Sequence, residues 1–243
     1  MSRVAIIAAL AGELEPLASG WLRESRNGVE FWRWRHEGGE WVAACAGIGV
    51  DAATRALDEI ERGGAVDLIV STGWAGALQD AFLPGRSYRV AGVVDAATGE
   101  RLGAATPTGE CWLVTLGKVA NLEDKRRLAA DHGAGLVDME AAGVARLAAA
   151  RGIPFYCIKG VSDGASDLLP DLDRFVSPKG EFQTARFALF AMLRPRYWPA
   201  LARLRGNCRR AARAVGESLR EILERREAAA RRAGGTGNAV TGE

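Results

Sequence analysis

VDMEAAGVARLAAARGIPFYCIKGVSDGASD, Val137 to Asp167, is the stretch that decides the fold. Met139 to Ala150 reads as a helix, and Gly152 suits the left-handed residue that closes one. Ile153 to Val161 is an apolar run of strand length, with Pro154 near its start. Acidic turns flank this unit: Asp138-Met139-Glu140 on one side and Ser162-Asp163-Gly164-Ala165-Ser166-Asp167 on the other.

Working outward, the same alternation recurs. Val4 to Leu10 is a continuous apolar run, as in a buried strand, and Glu13 to Gly20 reads as a helix after Gly12. Glu30 to His36 and Trp41 to Ala46 form a hairpin around Gly38-Gly39. Gly47-Ile48-Gly49 turns the chain into a helix, Asp51 to Arg62, followed by a strand from Val66 to Ser71 and the turn Gly73-Trp74-Ala75-Gly76. Ser87 to Val94 and Trp112 to Leu116 are strands, with a polar hairpin near Thr98-Gly99. Asn121 can N-cap a helix that ends at Gly133, with Glu123 and Asp124 favourably placed on its dipole. Ser177-Pro178 opens a last body helix to Leu193. Strands alternating with helices predict an α/β protein, a three-layer αβα arrangement, and the hairpins predict a mixed central sheet.

In such sheets ligands collect where strands end and helices begin. Four of these ends hold Glu13, the Gly73–Gly76 turn, Glu140 and Asp163. Singly, each acid fits a helix cap or a first-turn dipole partner. Together, on one sheet edge, they make a candidate active site.

Composition narrows the alternatives. The 243 residues have ordinary globular make-up, with no basic-then-apolar leader and no run near the roughly 18 apolar residues that cross a bilayer. Cys45, Cys111, Cys157 and Cys208 lack paired spacing, and only His36 and His132 are present, both suited to surface or turn positions. We therefore expect a reducing, cytoplasmic setting and no metal or other cofactor. Net charge is uneven: 194–232 holds 12 Arg and 4 Glu with no Lys or Asp, a surplus of +8 in a chain of net +2. Residues 1–193 are the expected catalytic domain, 194–232 a basic helical tail and 233–243 a disordered end. Within the tail, Trp198, Leu201, Leu204, Cys208, Ala211, Val215, Leu219 and Ile222 form one apolar stripe, which either docks on the body or meets a membrane surface.

The motifs VAIIAALAGELEPL, CAGIGVDAA, STGWAGAL, VDMEAAGVA and IKGVSDGASD, in this order, resemble the nucleoside phosphorylase and nucleosidase superfamily, specifically the methylthioadenosine/S-adenosylhomocysteine nucleosidase branch. The likeness spans Val4 to about Leu193. It implies catalytic roles for three acids: Asp163 protonates the departing purine with Ser162 orienting it, Glu140 binds the ribose hydroxyls, and Glu13 activates water. It further implies that Met139 packs on the sugar, that backbone at Val119 and Ala120 reads the adenine edge, and that Ile48, Gly73, Trp74 and Ala75 line the pocket. Asp163 then needs a raised pKa, which an apolar pocket would supply. Trp74 stands where a small polar residue is usual and either walls the pocket or fills core. Lys118 is unexpected and points to phosphate or solvent. A homodimer is implied by the likeness alone.

Phosphorolysis, with phosphate as co-substrate, is the near alternative. Ser71 and the Arg-free first loop with Glu13 favour water instead, because a carboxylate at the nucleophile position repels phosphate. The tail and a short Ser87–Trp112 segment together resemble the hopanoid-associated phosphorylase group, which implies an adenine nucleoside with a lipid 5′ substituent (adenosylhopane) and peripheral contact of 194–232 with the inner membrane face. Two other classes are weaker. Gly47-Ile48-Gly49-Val50-Asp51-Ala52 matches a dinucleotide turn but follows a hairpin, and Asp67 starts a strand where a ribose-binding acid should end one. A nucleic-acid binder would use the Arg-rich tail, yet that tail has few aromatics and the body is acidic, so no nucleic acid is expected.

Overall fold

The computed structural model describes residues 2–168, 173–175, 177, 183, 186–187 and 194–235. The expected helix from Ser177 to Leu193 and the end of the chain from 236 lie outside the described residues or largely so.

Eleven strands form one mixed sheet. They are β1 Ser2–Ala8, β2 Leu22–Arg26, β3 Val29–His36, β4 Gly39–Cys45, β5 Leu68–Ser71, β6 Trp74–Ala77, β7 Ser87–Asp95, β8 Arg101–Gly103, β9 Cys111–Thr115, β10 Leu136–Asp138 and β11 Phe155–Asp163. Their spatial order is β2-β3-β4-β1-β5-β11-β6-β10-β9-β7-β8. β4, β1, β5 and β11 run parallel, while β2-β3-β4 is an antiparallel meander at the edge. β11 also pairs antiparallel with β7, so β6, β10, β9 and β7 close back onto it.

The apolar run of β1 is explained by its two covered faces. Ala5 and Ile7 join a core with Ala53, Leu57 and Ile60 of α2 (Val50–Glu61) and Val144 and Ala148 of α4 (Ala141–Arg151). Val4 and Ile6 face the other way, against Leu14 and a long helix α5, Trp198–Gly235. α3, Leu122–His132, covers the far end through Leu128. This is the three-layer αβα architecture with a central mixed sheet that the alternation predicts.

Several details differ from expectation. The helix read from Glu13 to Gly20 is one turn, α1 Ala11–Leu14, which stops short of Pro16, a residue without the N–H a helix interior needs. The presumed turn at Trp74–Gly76 is strand β6, and Ser162 and Asp163 end β11 instead of lying in a loop. α5 is a layer of the body rather than an appended tail: Ala211, Ala212, Val215, Leu219, Ile222 and Leu223 are buried, and Gly160 of β11 sits so close that a Cβ there would meet Ala211 at 2.9 Å. The docking alternative therefore holds for the stripe from Ala211 onward. His36 is not a free surface residue; it stacks on Trp34 with ring centroids 4.5 Å apart and approaches Glu227 of α5 at 3.2 Å.

Candidate active site

Where β1, β4, β6, β10 and β11 end, a cavity of about 300 Å³ opens. Glu13, Glu140 and Asp163 all line it, so an acid from the start of the chain meets two from its second half in one cleft. Ile48, Trp74, Ala75, Val119, Ala120, Met139 and Ser162 line it too; of the expected set, Gly73 does not.

Glu13 reaches the cavity from the first helical turn after β1. Its Oε2 accepts the backbone N–H groups of Ala9 and Leu10 at 2.9 Å, and Oε1 accepts that of Trp74 at 2.8 Å. Gly73 explains its own presence here: with φ +119°, it brings the backbone so close that a Cβ would lie 2.8 Å from the Glu13 carboxylate. Any side chain at that position would displace Glu13. Burial pushes the Glu13 carboxyl up from its ordinary value, against the lowering effect of those N–H groups and of Lys159.

Glu140 is the residue that precedes α4, but its side chain does not cap the helix. Oε1 instead accepts the N–H of Gly49 at 3.0 Å. The Gly47-Ile48-Gly49 turn, read as a possible dinucleotide loop, thus holds a carboxylate with an N–H of the kind a pyrophosphate would need. Protein surrounds Glu140 closely, while part of its surface stays open to the cavity. Burial, then the neighbouring Asp138 and Glu13 charges, raise it to about 8, with Lys159 and the Gly49 N–H opposing.

Under these acids lies a buried ion pair. Lys159 Nζ contacts Asp138 Oδ2 at 2.9 Å and donates to the Thr72 carbonyl at 2.9 Å. Asp138 also accepts the Thr115 hydroxyl at 2.7 Å and the Ala141 N–H at 3.0 Å. Burial alone would lower the Lys159 ammonium, but Asp138, Cys157 and Glu140 around it keep it raised and charged. A fixed cation therefore sits among three carboxylates and limits their mutual repulsion.

Asp163 is not in the purely apolar setting expected. Ser162 Oγ lies 2.5 Å from its Oδ1, and the buried Lys125 Nζ lies 2.5 Å from its Oδ2. Lys118, whose partner was open between phosphate and solvent, pairs with Asp124 at 2.7 Å. Trp74 walls the cavity, and its indole N–H donates to the Cys208 carbonyl at 3.0 Å, fastening α5 across the mouth beside Leu204. The four cysteines are free, three of them buried. Among the described residues, no cluster of His, Cys, Asp and Glu could hold a metal ion, and no helix is long and apolar enough to cross a membrane.

This arrangement brings three carboxyl groups to one cavity, beside a buried lysine. A family model described as the phosphorylase superfamily matches residues 97–193. Among curated proteins, no sequence matches the chain. Solved structures do: the 5′-methylthioadenosine/S-adenosylhomocysteine nucleosidase of Helicobacter pylori superposes with TM-score 0.69 at 15% identity, covering 92% of this chain and 98% of that one. Futalosine hydrolase of Helicobacter pylori superposes with TM-score 0.69 at 14% identity, covering 92% and 98%. The 5′-methylthioadenosine nucleosidase of Arabidopsis thaliana gives 0.68 at 17%, covering 92% and 95%. The chain is thus similar in fold to these nucleosidases and to futalosine hydrolase, and over residues 97–193 it is similar to the phosphorylase superfamily.

Proposed function

We propose that this chain hydrolyses the N-glycosidic bond of a purine nucleoside, with adenine as the base. The observation that supports the reading most is the convergence of Glu13, Glu140 and Asp163 on one cavity. In the proposed reaction Glu140 accepts hydrogen bonds from the ribose 2′ and 3′ hydroxyls, and Met139 packs on the sugar. The C1′–N9 bond breaks with its electron pair going to the purine, and Asp163 delivers a proton to N7. Glu13 takes a proton from the water whose oxygen bonds to C1′. The sugar becomes oxocarbenium-like on the way, and the surrounding carboxylates stabilise that positive charge. Val119 and Ala120 supply the edge that reads the base.

Water is favoured over phosphate because the buried cation at the nucleophile side, Lys159, is already held by Asp138 and Thr72, while Glu13 faces the attacking position. The finer reading, an adenine nucleoside with a lipid 5′ group, draws on the start of α5. Residues 194–213 contain seven Arg and no acid, Trp198 is 54% exposed, and Leu204 and Cys208 of the same helix line the cavity. An anionic inner-leaflet surface would hold that face and set the cavity mouth against the lipid. A homodimer remains part of the proposal on family likeness.

The test incubates the full chain with adenosine, inosine, methylthioadenosine and an adenosyl lipid, each with and without phosphate, and measures free base. Adenine release without phosphate is expected, fastest from the adenosyl lipid. No release from any of the four, or an absolute need for phosphate, overturns the reading.

A further inference from the structure

We propose, resting on the nucleosidase reading above, that Lys125 is the positioning residue of the leaving-group acid: its ammonium, inserted from α3, clamps Asp163 Oδ2 and the Gly164 carbonyl and so fixes the proton donor relative to the base-reading backbone.

Lys125 is 2% exposed and among the largest fully buried side chains of the molecule. A buried lysine is costly unless its donors are used. Here Nζ spans 2.5 Å to Asp163 Oδ2 and 2.6 Å to Gly164 O. A buried ion pair is weak grounds for stability, since an apolar pair of similar volume often serves as well or better. The placement of this one assigns it another task. Its strand partner is irregular: the pairing of β11 with β6 shifts register between Val161 and Asp163, and β11 ends there. Such a bulge re-aims a side chain but leaves the strand end without a regular ladder to hold it. Lys125 supplies the missing restraint on both the carboxylate and the backbone that follows it.

The restraint comes from the right body. Val119 and Ala120 line the cavity immediately before α3, and α3 is fixed by a capping box in which Asn121 Oδ1 accepts the Asp124 N–H at 2.9 Å and Asp124 Oδ2 accepts the Asn121 N–H at 3.2 Å. The segment that reads the base edge and the cation that holds the proton donor are therefore one rigid piece. β6 completes the fit with Gly76, where a Cβ would come within 3.0 Å of Asp163 Oδ2 and 3.4 Å of Lys125 Cε. Once Asp163 has given up its proton, the ammonium balances the charge left on the carboxylate.

The experiment measures single-turnover base release and steady-state kcat and KM for Lys125→Met, Lys125→Arg, Gly76→Ala, Asp163→Asn and the Lys125→Met/Asp163→Asn double variant, with Tm recorded for each. The expected result is a ten- to hundredfold fall in kcat for Lys125→Met with KM within threefold, partial recovery in Lys125→Arg, and a double variant no slower than Asp163→Asn alone. A purely structural lysine would lower Tm and leave the two losses multiplicative. Near-normal kcat in Lys125→Met, or losses that multiply in the double variant, overturns the proposal. Should Lys125→Met not fold, Gly76→Ala, which crowds the pair from β6, must show the same kcat loss and the same non-additivity with Asp163→Asn, and unchanged kcat there overturns it. A wild-type protein that releases no base from any nucleoside defeats the nucleosidase reading itself, a result distinct from either.

Discussion

Replacing Glu140 by Gln removes one titrating group while keeping an acceptor for the Gly49 N–H, which makes its contribution to stability measurable. In the folded protein this carboxyl stands at about 8, against 4.5 for the ordinary group. The fold therefore favours the protonated form. Its stabilising contribution is complete below the ordinary value and is lost as pH rises through about 8. At about 1.4 kcal/mol per pH unit, that span has a ceiling on the order of 5 kcal/mol. Part of Glu140 faces the cavity, whose water screens its charge, so about half the ceiling is the working figure, roughly 2–3 kcal/mol. In a chain of this size 1 kcal/mol moves Tm by about 2–4 °C. Thermal unfolding followed by circular dichroism from pH 5 to pH 9 should show wild type losing about 5–10 °C more than Glu140→Gln across that range. Glu13 titrates in both proteins, so the difference reports Glu140 together with its repulsion from Asp138 and Glu13. Parallel Tm curves, separated by a constant offset, would refute the argument that Glu140 is held protonated by its surroundings.

Other outcomes follow from the same geometry. Glu13→Gln and Asp163→Asn should each lower kcat by about a hundredfold to ten-thousandfold with wild-type far-UV spectra, since each removes one proton transfer; near-normal turnover in either denies that residue its role. Lys159→Met leaves Asp138 buried and uncompensated, and chemical denaturation should report a loss of about 3–5 kcal/mol; an unchanged midpoint would mean the pair is not buried in solution. Burial raises Glu13 and Glu140, Glu140 to about 8, so kcat/KM should climb between pH 6 and pH 8 as they ionise; a profile flat over that range contradicts this. Reversing Arg203, Arg205 and Arg209 to Glu should abolish co-sedimentation with anionic vesicles while leaving Tm within a few degrees, because all three side chains are exposed; equal binding removes the membrane contact.

How far the sequence could be read depended on whether the signal was local. Helix ends were legible because their chemistry is short-range: Asn121 caps α3 as expected, and Gly133 and Gly152 both close helices in the left-handed region. β2 escaped because all five of its residues are exposed, so it shows no alternation of apolar and polar positions. β6 escaped because Trp-Ala-Gly-Ala looks like a turn until β11 and β10 flank it. The three acids could be named from motif order, but their carriers could not. Lys125 sits in a run of charges, Glu-Asp-Lys-Arg-Arg, where nothing distinguishes a buried cation from a solvated one. Lys159 did leave a trace: a lone charge between Cys157-Ile158 and Gly160-Val161 in a buried strand requires a partner, and Asp138 is that partner. The stripe of α5 is legible as apolar, but its target, the sheet face formed by β1 and β11 with Trp41, emerges only from the assembled layers.

The most direct trial of the account is a crystal structure of the full chain with an uncleavable purine C-nucleoside bound. It should show the ribose hydroxyls on Glu140, N7 facing Asp163, and a water between Glu13 and C1′. A ligand bound outside this cavity, or one whose C1′ lies out of reach of any water held by Glu13, would contradict it.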